Sequence, residues 1–139
     1  MSEPARRLRA AAAWLSLGAA LLAAPARAEP KPLAAMGCRI QAGSGRLLCT
    51  VSVAAPPGQS VVWSDALVVA TPSAARALRS RVASTSERPA EVVLAFVLGG
   101  GAGGRITVVS RAVACPVAPR TGACAPFTSR VGFDFEPPG

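Results

Sequence analysis

Apolar and polar residues alternate with a period of two over Cys38–Val53 and again over Pro126–Phe135, the signature of half-buried strands, with more continuous apolar runs between them. Two runs dominate. Glu91–Leu98 (E-V-V-L-A-F-V-L) and Arg105–Cys115 (R-I-T-V-V-S-R-A-V-A-C) are rich in Val, Ile, Phe and Thr, which suit a pleated surface. Gly99–Gly104 between them holds five glycines and one alanine. The pattern predicts a long hairpin with a flexible, solvent-facing glycine loop, and it places the core around that hairpin.

A first hairpin is expected over Cys38–Ala54. A two-residue turn on Gly43-Ser44, with glycine at the first central position, sets Ile40 opposite Leu47 and Cys38 opposite Cys49. Cys38, Ile40, Leu47, Cys49, Val51 and Val53 then share one face; Arg39, Gln41, Arg46, Thr50 and Ser52 share the other, joined there by Leu48. Pro56-Pro57-Gly58 closes this unit as a turn.

Val61–Ala70 reads as a third strand that is apolar on both faces, either buried on both sides or bulged near Ser64-Asp65. Trp63 is expected as its core anchor. In Ser73–Ser84 a helical turn is expected to pass into a strand from about Leu78. Pro126–Phe135 alternates cleanly, with Phe127, Ser129, Val131, Phe133 and Phe135 on the inward face. Six to seven short strands, at most one short helix, and glycine and proline turns predict an all-β domain: a small antiparallel β-sandwich or barrel.

The N-terminus follows a different pattern. Arg6, Arg7 and Arg9 precede an apolar run, Ala10–Ala24, and Ala26-Arg27-Ala28 fits a small-x-small cleavage site. The run falls short of the roughly 18–20 residues that span a bilayer. Residues 1–28 are therefore expected to be a signal peptide, 29–37 a flexible lead-in, 38–136 a single β domain and 137–139 a tail. That organisation implies export to the periplasm or beyond the cell.

Export changes the meaning of the four cysteines. In an oxidising compartment they are expected as disulfides. The first hairpin's register favours Cys38–Cys49, and a turn on Pro119-Arg120 favours Cys115–Cys124. Ten and eight intervening residues do not match the C-x₂₋₄-C spacing of structural zinc sites, and the chain has no histidine, so no metal is expected.

Candidate chemistry is sparse. Gly99–Gly104 satisfies G-x-G-x-x-G, but a strand-like segment follows it instead of a helix, and Ile106 occupies the position where a phosphate loop needs Ser or Thr. No nucleotide cofactor is expected. Nucleophilic catalysis lacks a histidine base. Asp65 beside Trp63, with Asp134 or Glu136 as partner, is the one constellation that suggests an enzyme, a minimal carboxylate-based hydrolase.

From residue 29 onward the chain carries ten arginines and one lysine against six acids, a formal net charge of +5. Such a balance favours anionic partners. Arg76, Arg79, Arg81 and Arg88 form the densest positive cluster of that part, and Trp63 offers an aromatic surface. These residues are the candidate binding set. The leading expectation is an exported, non-catalytic binding or accessory module for an envelope protein or for an anionic glycan or lipid. Nucleic acid is disfavoured as partner.

Overall fold

The computed structural model describes residues 33–137; the expected signal peptide and residues 29–32 lie outside it, as do 138–139. Eight antiparallel strands follow one another: β1 (Leu33–Gln41), β2 (Arg46–Ala54), β3 (Gln59–Ala70), β4 (Ala75–Ala77), β5 (Arg81–Ala83), β6 (Glu91–Leu98), β7 (Gly104–Pro116) and β8 (Ala125–Phe135). They form two four-stranded sheets, ordered β1-β2-β6-β4 and β5-β3-β7-β8. The sheets pack face to face as a sandwich and do not close into a barrel. There is no helix among the described residues.

The core is the sum of the predicted inward faces. Leu47, Cys49 and Val51 of β2, Val92, Leu94 and Phe96 of β6, and Ile106 and Val108 of β7 are buried together with Phe135 of β8. Burying one such large side chain contributes on the order of 1.5–3 kcal/mol. Phe133 lies opposite Ile106 and packs on the same cluster, while Phe127, opposite Ala112, covers a smaller one with Val53 and Val61. The alternation expected of β8 is borne out.

β1 and β2 pair in the expected register, Cys38 with Cys49 and Ile40 with Leu47. The connection differs. Strand pairing stops at Gln41 and Arg46, leaving a four-residue loop with positive φ at Gly43 and Gly45 rather than a two-residue turn. β1 also begins at Leu33, so Leu33–Gly37, expected as lead-in, pairs with Thr50–Ala54. Both expected disulfides are formed, Cys38–Cys49 and Cys115–Cys124. In the second loop the turn runs Val117–Arg120, closed by the Arg120 N–H donating to the Val117 carbonyl (3.0 Å), one residue earlier than expected.

The glycine hairpin is the main correction. β6 pairs with β2 and β4 in one sheet, whereas β7 pairs with β3 and β8 in the other. The two apolar arms face each other across the core instead of lying side by side. Packed sheets stand about 10 Å apart, so their connector has to span a gap that no tight turn bridges. Nor does the loop hang free. Gly99 N–H donates to the Ala74 carbonyl (3.0 Å), Ala74 N–H to the Ala102 carbonyl (3.1 Å) and Ala102 N–H to Ser73 Oγ (2.9 Å). A Cβ on Gly101 would sit 2.7 Å from Ser73 Oγ, and one on Gly103 only 2.5 Å from the Phe135 carbonyl oxygen. The glycines are needed for that close approach.

The segment expected as a helical turn and strand instead becomes a strand that changes sheets. β4 pairs with β6, and Leu78 N–H still donates to the Ala95 carbonyl (2.9 Å). Two residues later the Ser80 carbonyl already accepts from Val68 N–H of β3 (2.8 Å), and β5 continues beside β3. Such a corner joins the two layers along one side of a sandwich. On the opposite side the edge strands β1 and β8 approach each other.

Gly103→Ala should therefore destabilise by about 1–3 kcal/mol, the usual cost of forcing atoms into a packed site, as read by urea unfolding. Replacing Gly99–Gly104 by a two-residue turn should abolish the cooperative transition, because β6 and β7 would be drawn towards one sheet.

Candidate functional site

The site begins with a bulge. β3 pairs with β7 in register, except for shifts between Val61 and Trp63 and between Val68 and Ala70. The extra residue at Val62 inverts the alternation. Val61 points into the core, and after the bulge Ser64 and Ala66 take over that face. Trp63, Asp65 and Leu67 are thereby turned to the outer face of the second sheet. Trp63 is half-buried there and is not the expected core anchor. The bulge also lies two residues earlier than predicted.

Asp65 is 0% exposed although it sits on an outer face. Its neighbours in register are Arg111 on β7 and Ala83 on β5, with Arg81 two residues away on β5. Both arginines fold over it. Arg111 Nε donates to Oδ1 (2.9 Å), Arg81 Nε donates to Oδ2 (2.8 Å), and Arg111 Nη2 donates to Oδ2 as well. The Arg111 guanidinium also lies 6.0 Å from the centre of the Trp63 ring, within reach of a cation–π contact. A buried charge requires partners of this kind. The Arg111 hydrogen bonds, opposed by burial and reinforced by Arg81, hold the Asp65 carboxyl below the usual carboxylate range. The same contact raises Arg111 above the ordinary arginine value.

The rest of this outer face follows from the β7–β8 register. Arg111 lies beside Thr128, and Val109 beside Arg130. At the far end Arg105 Nη1 donates to Asp134 Oδ1 (3.1 Å), its guanidinium crossing the place where Gly132 lacks a side chain. The partners of Asp65 and Asp134, Arg111 and Arg105, are six residue steps apart along β7, about 20 Å at the rise of a strand. The expected pairing of Asp65 with Asp134 or Glu136 is therefore not assembled, since two-carboxylate hydrolysis needs roughly 5–9.5 Å. Asp65, ionised and with both oxygens engaged by arginines, is a poor proton donor. Among the described residues no three Cys, Asp or Glu side chains converge as metal ligands.

The five residues of the candidate binding set do not form one cluster. Arg81 and Trp63 lie on the outer face of the second sheet, to either side of Asp65 along β3. Arg76, opposite Val97, lies on the outer face of the first sheet, which it shares with Arg39 and Arg46. Arg79, at the corner between the sheets, borders a hollow of about 230 Å³ with Leu78, Val82, Val93 and Ala95. Arg88 stands in the loop before β6, 3.6 Å from Glu91. Proximity in sequence suggested a cluster, but a strand that switches sheets distributes it over two faces. Arg111 is the residue that sequence reading missed. Its one available signal was its place in an apolar alternation, where a charged side chain on a central strand needs a partner.

Replacing Asp65 by Asn should cost about 1–3 kcal/mol, the range for losing the charged partner of buried hydrogen bonds. The pH dependence has a definite sign. A folded-state pKa below the unfolded value of about 3.9 makes the contribution fully present above that pH and lost as pH falls towards the folded value. Urea unfolding between pH 7 and pH 2 should show this acid loss in the natural chain and a flatter profile in Asp65→Asn. No protein-family model, curated protein or solved structure matches this chain.

Proposed function

We propose that this chain is an exported, non-catalytic binding module that attaches to an anionic surface of the cell envelope, glycan or lipid headgroups. One observation carries the reading: arginines are spread over the outer faces of both sheets with too few acids to balance them. Arg39, Arg46, Arg76, Arg79, Arg120 and Arg130 make no ion pair with any described acid, and of the described acids only Asp65, Glu91 and Asp134 pair with arginine. A field of this kind attracts polyanions, with an affinity that falls as salt screens it. Two disulfides support export, because such bonds persist in oxidising compartments.

Co-sedimentation with lipid vesicles tests the attachment. The chain from Glu29 onward should pellet with vesicles containing anionic lipid and remain in the supernatant with neutral ones. Binding should fade as salt rises towards about 1 M, where the screening length shrinks to about 3 Å. A column of sulfated glycan run in parallel separates glycan from lipid as the source. Equal behaviour on charged and neutral surfaces would remove the proposal. Export has its own check: protein recovered from outside the cytoplasm should begin at Glu29.

A further inference from the structure

We infer that Arg81 and Arg111 form a discrete oxyanion-binding site, which takes a phosphate, sulfate or carboxylate group of the partner, with Asp65 as the residue that positions both arginines. This rests on the reading of the chain as a binder of anions and narrows it from a surface to a single place.

Asp65 is bound by more positive charge than it needs. Arg111 approaches Asp65 as a fork, with Nε on one oxygen and Nη2 on the other. That fork alone neutralises the carboxylate and occupies both oxygens. Arg81 is not needed for either purpose, yet it too donates Nε to Oδ2. Two cations on one anion leave one positive charge over, and no other described acid pairs with either arginine.

The donors left over face outward. Each guanidinium has five N–H groups. Arg111 directs Nε–H and Nη2 at Asp65 and retains Nη1; Arg81 directs Nε–H there and retains both terminal nitrogens. The carboxylate at the bottom is fully buried, while the Arg111 and Arg81 side chains are 39% and 57% exposed. The arginines come from β7 and β5, the strands on either side of β3, so their guanidiniums converge over Asp65 from opposite directions. Thr128 beside Arg111 adds a hydroxyl, and Arg130 on the same face adds further positive charge.

Both arginines are also held in place before any anion arrives. A free arginine loses on the order of 2 kcal/mol of rotamer entropy when it is ordered. Here Asp65 holds both side chains by Nε, and the Trp63 ring lies against Arg111. The ordering cost has been met in folding rather than at binding, which favours affinity for a planar or tetrahedral oxyanion.

The test uses the chain from Glu29 onward, ¹⁵N-labelled, titrated at constant ionic strength with inorganic phosphate, sulfate or acetate. The arginine Nε–H and tryptophan indole resonances are followed by NMR. Saturable shifts confined to Arg81, Arg111 and Trp63 are expected with at least one anion, and the three arms identify its class. Arg81→Lys keeps the charge but loses the planar guanidinium with its two outward terminal nitrogens, and it should weaken binding about ten-fold, the worth of one charge-assisted hydrogen bond. It leaves the Arg111 fork on Asp65, so folding is retained. Asp65→Asn gives the sharpest contrast: it makes the face more positive, yet it should weaken binding because the arginines lose their anchor. Tighter binding by Asp65→Asn, an unchanged Arg81→Lys, or unsaturable shifts spread over Arg39, Arg46 and Arg76 would each overturn the site. Those results would leave the general attachment to anionic surfaces standing if vesicle binding persists. Absence of both effects would end both readings.

Discussion

The alternate side chains of β6 and β7 meet across the core, Val92, Leu94 and Phe96 from one sheet against Ile106 and Val108 from the other. Two adjacent strands in one sheet would have shown those side chains to the same side, where only a further sheet could cover them. Face-to-face packing buries both sets at once, and other features follow from it. The chain has to pass between layers after β6, so a connector is needed that fits closely against Ser73, Ala74 and Phe135. Glycine meets that need because the neighbouring backbone occupies the space of a side chain.

The same demand organises the remaining connections. Five of the seven links between consecutive strands carry the chain from one sheet to the other; only β1–β2 and β7–β8 are hairpins. Those two hairpins hold the two disulfides. Each bridge closes a short loop and constrains the unfolded chain accordingly, by about 3 kcal/mol in the chain-entropy account. The long-range pairings, β2 with β6 and β3 with β7, have no covalent link and are held by core burial and backbone hydrogen bonds, joined between β3 and β7 by the Asp65–Arg111 pair. Covalent support is thus confined to the two parts of the topology that are already local.

One extra residue, Val62, decides what the outer face of the second sheet presents. Without the bulge Trp63, Asp65 and Leu67 would continue the inward face begun by Val61, and a carboxylate would enter the apolar core. With it, Asp65 is turned to a surface where two arginines from the flanking strands cover it. The arrangement makes Asp65 a fixed anion at neutral pH rather than a proton donor. What remains suits recognition: guanidinium groups held in place, with donors to spare.

Much of this was legible in the chain. The strand Glu91–Leu98 follows from its β-branched and aromatic residues, and the β1–β2 register, both cysteine pairs and the inward face of β8 from alternation and turn residues close together in sequence. Such information is local, because a strand's two faces are set by its own residues and a hairpin's register by its own turn. Which strand lies beside which is not local. The arms around Gly99–Gly104 look alike whether they pair side by side or pack face to face, and only the competition of β2 and β3 for them settles it. The bulge at Val62 is equally hidden, since Val61 and Val62 are both apolar and either can point inward. Residue pattern along the chain is enough for the strands β2, β6, β7 and β8, the faces of β2 and β8, and the two disulfide-bearing hairpins. The tertiary structure alone decided that the glycine stretch crosses between sheets and that Asp65, Arg81 and Arg111 meet, because both depend on contacts between segments far apart in the chain.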